Sequence, residues 1–165
     1  MQALSSRAEA ARRGAPVVTI SSGKGGVGKT TLSVNLVVAF APTRRTLLID
    51  ADLGMANADI FCGLSPVRRL GSARVEDLIV EAPGGFQLVP GAVGRHHPDG
   101  DGVVRALELV NTHDLVLVDT SPGVGRDVRR LIRTSDLAVV VVTPEPTSIA
   151  DAYALIKCLH GEGEA

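Results

Sequence analysis

Read by its apolar and polar positions, the chain alternates short continuous apolar runs with longer mixed stretches. Runs of strand length fall at residues 16–21, 46–50, 114–120 and 137–143. They are continuous rather than alternating, as expected of parallel strands covered on both faces. The last of them, Leu-Ala-Val-Val-Val-Val-Thr, is the clearest candidate for a buried strand. Residues 85–90 form a weaker fifth run. Between the runs, Leu32, Leu36 and Phe40 recur at helical spacing, and Ala41-Pro42 ends that helix. Short helices are predicted at 75–80 and 103–110, and a charged surface helix at 127–132. A last helix is predicted at 149–159, with Ser148 or Thr147 as its cap. Residues 91–102 read as a polar loop and 1–15 as a flexible Ala/Arg-rich leader. Strands alternating with helices predict a doubly wound α/β domain over 16–165, with its ligand at the carboxyl ends of the strands.

Composition narrows this picture. The 165 residues suit one domain with a real core, and aromatic residues make up only 2%, so Val, Leu, Ile and Ala must pack it. Stacking platforms for single-stranded nucleic acid are nearly absent. A net charge of −1 argues against a globally basic nucleic-acid binder. Cys62 and Cys158 have no metal-site spacing and suit a reduced cytoplasmic protein. No apolar run approaches the roughly 18 residues of a membrane span. His96, His97, Asp99 and Asp101 lack a ligand-like spacing and read as part of a solvated loop.

The chemistry concentrates in Ser22-Gly23-Lys24-Gly25-Gly26-Val27-Gly28-Lys29-Thr30-Thr31, which reads Gly-x-x-x-x-Gly-Lys-Thr. A strand precedes it and a helix follows. The glycines let backbone N–H groups converge on phosphate oxygens, and the helix start adds positive dipole there. Only three of the seventeen basic residues are lysine, and two of them, Lys24 and Lys29, lie in this loop. Asp50, Asp52 and Asp119 stand at or just after the carboxyl ends of two other strands. Such acids beside a phosphate loop point to a metal ion or a water molecule; a turn or cap role is the structural alternative.

These motifs resemble the MinD/ParA family of ATPases. Lys24 to Thr31 is similar to the family's deviant phosphate loop, and Asp50-Ala51-Asp52-Leu53-Gly54-Met55-Ala56-Asn57-Ala58-Asp59 to its first switch. Pro144-Glu145-Pro146-Thr147-Ser148-Ile149-Ala150-Asp151-Ala152-Tyr153 resembles most the branch that regulates flagellar number and placement (FlhG, also called YlxH). The resemblance covers residues 17–157. It implies a P-loop NTPase three-layer sandwich, with a mostly parallel sheet between helices, shorter at the C-terminus than the family. It implies ATP and Mg2+ as ligands, slow ATP hydrolysis, and an ATP-dependent homodimer. Lys29 would contact the β- and γ-phosphates, Thr30 the magnesium and Thr31 the α-phosphate. Gly23, Gly25, Gly26, Val27 and Gly28 would cradle the phosphates. Lys24 would reach the partner subunit's phosphates, Asp52 would orient the attacking water, and Asp50 and Asp119 would support the magnesium shell. Gly123 would mark the second switch. The implied partners are a signal-recognition-type GTPase or a flagellar basal-body or regulatory protein. The implied location is cytoplasmic, with the family's C-terminal amphipathic membrane segment missing from this chain. Gln2-Ala3-Leu4-Ser5-Ser6-Arg7 partly matches the branch's GTPase-stimulating leader motif.

Other readings remain open at this level. One is a partitioning-type ATPase binding DNA non-specifically through Arg126, Arg129, Arg130 and Arg133, a stretch that also reads as a solvated face. Another is a non-catalytic fragment that binds nucleotide or a partner. Asn111-Thr112-His113-Asp114 is a poor guanine motif, lacking its lysine and preceding the strand that ends in Asp119.

Overall fold

The structure is a computed structural model describing residues 14–52, 54–72, 74, 77–92, 107 and 112–161. Its elements are β1 (Val17–Ser21), α1 (Lys29–Phe40), β2 (Thr46–Ala51), α2 (Ala58–Phe61), β3 (Val80–Ala82), β4 (Phe86–Val89), β5 (Leu115–Thr120), α3 (Arg126–Thr134), β6 (Leu137–Val140) and α4 (Pro146–Gly161). The strands form one sheet in the order β3-β4-β2-β5-β1-β6. Every pairing is parallel except the β3–β4 hairpin.

The continuous apolar strands bury both faces, as their sequence requires. Leu47, Ile49, Val116 and Val118 point to one face, where Leu131 of α3 meets them. Leu48, Leu88, Leu115 and Leu117 point to the other, against Val37 of α1. The central strands β2 and β5 are buried along their whole length. A smaller cluster of Val128, Ile132 and Leu155 joins α3 to α4.

Several expectations are corrected. The buried face of α1 is Lys29, Ser33 and Val37, while Leu32 and Leu36 are only partly buried and Phe40 is exposed. The apolar spacing pointed one residue away because two positions on the sheet-facing side are polar and serve the site. Val80 starts a strand rather than ending a helix, and Gly85 belongs to a turn. Gly84 and Gly85 take φ of 100° and 81°, and Gly85 N–H donates to the Ala82 carbonyl (3.2 Å), closing a hairpin. The final helix begins at Pro146, three residues earlier than predicted, because proline's fixed φ suits a first helical turn. Ser148 therefore lies inside the helix, where its hydroxyl accepts from Thr143 N–H (3.1 Å) and joins the strand exit to α4.

The largest correction concerns β6. It is an edge strand in this sheet, only partly buried, and Leu137 is 56% exposed. A continuous apolar run does not distinguish a central strand from an edge strand. The helix expected at 103–110 has only Leu107 among the described residues, where it packs on the core; the leader, except its last two residues, and the loop from residue 93, with His96, His97, Asp99 and Asp101, lie outside them.

Exposure separates two leucines of the sheet. Leu117→Ala, at a fully buried site, is expected to lower unfolding free energy by about 2–5 kcal/mol. Leu137→Ala should cost well under half of that, as urea denaturation of both variants will measure.

Candidate functional site

Carboxyl ends of β1, β2 and β5 meet at one edge of the sheet. The phosphate loop leaves β1 there, with Gly26 and Gly28 at φ of 78° and 93°. Those left-handed conformations, open to glycine, turn the chain into α1 at Lys29. No acidic side chain occupies the first turn of α1, so nothing competes with an anion for the helix N-terminus. The Ser22 hydroxyl donates to the Lys24 carbonyl (2.7 Å) and fixes the start of the loop.

Two segments brace the loop. Gly123, at φ 99°, donates its N–H to the Ser22 carbonyl (2.8 Å), so the turn after β5 is tied to the end of β1. The backbone of α4 lies against Gly23: a Cβ there would sit 2.2 Å from the Asp151 carbonyl carbon. Glycine is needed at 23 for this close approach rather than for its dihedral angles.

Asp119 and Asp50 are register partners on neighbouring strands, each only 1% exposed. Asp119 accepts from the Ser33 hydroxyl (3.0 Å) and from the Thr30 side chain. Burial raises its pKa, offset in part by those bonds and by the charge of Lys29. Asp50 is held differently. Its Oδ1 accepts from Asp52 N–H (3.1 Å), and its Oδ2 from Asn57 N–H and Ala58 N–H (3.0 Å each). Asp50 thus performs the turn-and-cap role while facing the site. Burial drives its pKa up to about 7, helped by repulsion from Asp119 and opposed by the backbone bonds. Asp52 accepts from Gly54 N–H (3.0 Å), Met55 N–H (3.1 Å) and the Ser121 hydroxyl (3.0 Å), all at Oδ1.

The two loop lysines differ in setting. Lys29 is 7% exposed within the site. Lys24 leaves the loop and donates to Glu145 Oε2 (2.7 Å) and the Thr147 hydroxyl (3.1 Å), at the start of α4. Its side chain is 39% exposed and that of Glu145 60%, so this ion pair contributes only about 0–1 kcal/mol and breaks easily. Ser33, Ser121, Glu145 and Thr147 are the site-shaping residues that the sequence reading missed. Ser33 could have been found as a polar residue one turn beyond Lys29, but nothing local marks Glu145 as the seat of Lys24. Thr31 sits at an exposed position on the first turn of α1, and Val27 in the loop itself.

The residues fit a divalent cation of the phosphate-bridging kind. Two buried carboxylates side by side repel each other, and Thr30 stands at hydrogen-bonding distance from one of them. Among the described residues no three His, Cys, Asp or Glu side chains gather as in an all-protein metal cage. Magnesium instead takes one or two carboxylates and completes its shell with phosphate and water.

A glycine loop opening a helix at the carboxyl edge of a parallel sheet, with buried acids on the neighbouring strands, defines a P-loop nucleotide-binding domain. More narrowly, residues 18–154 match the CobQ/CobB/MinD/ParA nucleotide-binding domain, and the chain belongs to that family. It is 41% identical over 157 residues to the antiactivator FleN of Pseudomonas aeruginosa, covering 87% of this chain and 56% of that protein. It is 33% identical over 153 residues to the flagellum site-determining protein YlxH of Helicobacter pylori, covering 85% and 52%. The chain thus spans about half the length of the curated relatives it matches. The solved septum site-determining protein MinD of Pyrococcus horikoshii, complexed with Mg-ADP, superposes with a TM-score of 0.79 at 29% identity, covering 90% of this chain and 66% of that one. The expected three-layer, mostly parallel fold is therefore present, as is the likeness to flagellar regulators.

The proton on Asp50 gives a stability signature. An unfolded aspartate titrates near about 3.9. Between there and about 7 the folded chain keeps a proton that the unfolded chain has released. This contribution is fully present below about pH 4 and is lost as pH rises to about 7, at up to about 1.4 kcal/mol per pH unit. Without divalent cations, the stability difference between wild type and Asp50→Asn should therefore fall across that window and level off above it. Urea denaturation over a pH series will read it.

Proposed function

We propose that this chain is the nucleotide-binding domain, over residues 16–165, of an ATP-dependent dimerisation switch with slow ATPase activity, acting in the control of flagellar number or placement. The observation that carries the reading is the unequal placing of the two loop lysines. Lys29 is buried where a bound phosphate would lie. Lys24 points out of its own loop to a weak surface pair with Glu145. A lysine needed only for its own chain's nucleotide has no reason to stand there. One that completes a second copy's site must be reachable and cheaply released. FleN and YlxH, by their names an antiactivator and a flagellum site-determining protein, support the biological side of the reading.

The chemistry follows from positions already described. Backbone N–H groups of residues 23–31 and the start of α1 would hold the phosphates, with Lys29 on the β- and γ-phosphates. Thr30 and Asp119, with Asp50 beyond, would hold magnesium, which supplies charge neutralisation at the phosphates. Asp52, fixed at Oδ1 by two backbone N–H groups and Ser121, would orient the attacking water. Phosphoryl transfer needs positioning and charge stabilisation more than a strong base. Gly123 would relay the presence of the last phosphate, because its turn is already bonded to Ser22.

A second reading, non-specific DNA binding, is favoured by one feature: Arg126, Arg129, Arg130 and Arg133 line a common cleft of about 330 Å³ on α3. ATP-dependent, salt-sensitive retention of plasmid DNA would favour it, and no retention would remove it.

Light scattering in ATP and magnesium tests the leading reading. Wild type should double in mass, and Lys24→Ala should stay monomeric while still binding ATP. Lys29→Ala should lose ATP affinity by about tenfold or more. Dimerisation of Lys24→Ala at the wild-type ATP concentration would contradict the proposal.

A further inference from the structure

At the opposite end of the sheet lies a second cleft, of about 320 Å³, whose lining includes Arg45, Thr46, Glu81, Gln87, Thr112 and His113. Thr46 opens β2, and Thr112 and His113 lie just before β5, separated from it by Asp114. Asp50 and Asp119 lie at the other ends of the same strands, four residues along β2 and so roughly 13 Å away.

This cleft has a built polar floor. The Gln87 side-chain amide donates to Glu81 Oε1 (2.5 Å), which turns its carbonyl oxygen to His113 Nε2 (2.7 Å). That oxygen can only accept, so Nε2 carries the proton. Nδ1 pairs with the Thr112 hydroxyl (2.9 Å). His113 is 8% exposed, so the chain of bonds fixes a buried ring. Beside it Thr46 is 1% exposed, and its hydroxyl has no hydrogen-bond partner among the described residues. A buried hydroxyl left unsatisfied costs free energy, and a bound polar molecule would remove that cost.

The rim carries opposite charges. Arg45 gives Nε and Nη2 to Asp114 (3.4 and 3.1 Å), while Nη1 takes no part in that pair. Glu81 uses Oε1 for Gln87, while Oε2 is outside that bond. Arg45 is thereby held by Asp114 with donors still to offer, and Glu81 by Gln87 with an acceptor to offer. The volume lies at the bottom of the range of about 300–1,000 Å³ for ligand sites, which suits a small ligand.

We propose that this cleft is a binding site for a small zwitterion of the amino-acid class, distinct from the nucleotide site. Its carboxylate meets Arg45, its ammonium meets Glu81 Oε2, and a polar group satisfies Thr46. The site depends on neither ATP nor dimerisation.

The test is an NMR titration of the uniformly 15N-labelled full chain with each standard free amino acid at millimolar concentration. The N-acetyl and carboxamide derivative of each hit serve as charge controls. The expected result is that at least one amino acid shifts the amide signals of Arg45, Gly85 and His113 while those of residues 23–31 stay in place. Both derivatives should bind about tenfold more weakly or worse, as should the free amino acid to Arg45→Ala and to Glu81→Gln. Both of these side chains are on the surface, and unchanged spectra elsewhere will show the variants folded. Absence of any shift at the cleft overturns the proposal. So does equal binding of the acetylated and amidated forms, or unchanged binding by the two variants.

Discussion

Asp50 and Asp119 face each other across the two central strands, in register and out of contact with water. Charges placed this way cost free energy unless something nearby compensates them, and the surroundings supply that compensation in pieces. Ser33, Thr30 and Lys29 serve Asp119, and the backbone that follows Asp52 folds back onto Asp50. The polar positions on the buried stripe of α1 and the turn before α2 can both be understood from this pair. A chain that needed only a stable α/β core would place apolar side chains at those positions.

That same constraint decides what the sequence could disclose. The strands β1, β2 and β5 were legible because each is a continuous apolar run, and the phosphate loop because glycine and lysine spacing carries its chemistry directly. The acids were legible because a strand that ends in aspartate breaks its own pattern. Ser33 was hidden because it lies one residue off the apolar spacing of Leu32, Leu36 and Phe40, and its role appears only when β5 is placed beside α1. The hairpin of β3 was hidden because its short strands carry little signal and its turn depends on two glycines with positive φ. β6 was misjudged because its composition is that of a buried strand, whereas its exposure depends on what lies beside it in the sheet. Lys24 stands out in the sequence as a second lysine in the loop, but its contact with Glu145 spans more than a hundred positions and has no local signature.

Both sites lie within the residues that match the family. The P-loop, the paired acids and Gly123 sit within the residues matched by the family and on the fold shared with the Pyrococcus horikoshii MinD structure. The polar cleft at the far end of β2 and β5 involves none of them. Because β2 and β5 run through both sites, each site is built on the same rigid strands, the setting in which side chains are held most firmly.

Whether a single active site is assembled from two chains is best tested by mixing two damaged copies. Lys24→Ala lacks the lysine that would reach across, and Asp52→Ala lacks the group that would orient water, so each alone should be inactive. In a mixed pair, one site would combine an intact Asp52 with the Lys24 of the partner subunit. Equal amounts should then regain ATPase activity, up to about half of the wild-type rate, because Lys24→Ala does not pair with itself and each mixed dimer carries one complete site of two. A mixture that stays as inactive as its components, while light scattering shows the mixed dimers forming, would contradict the account.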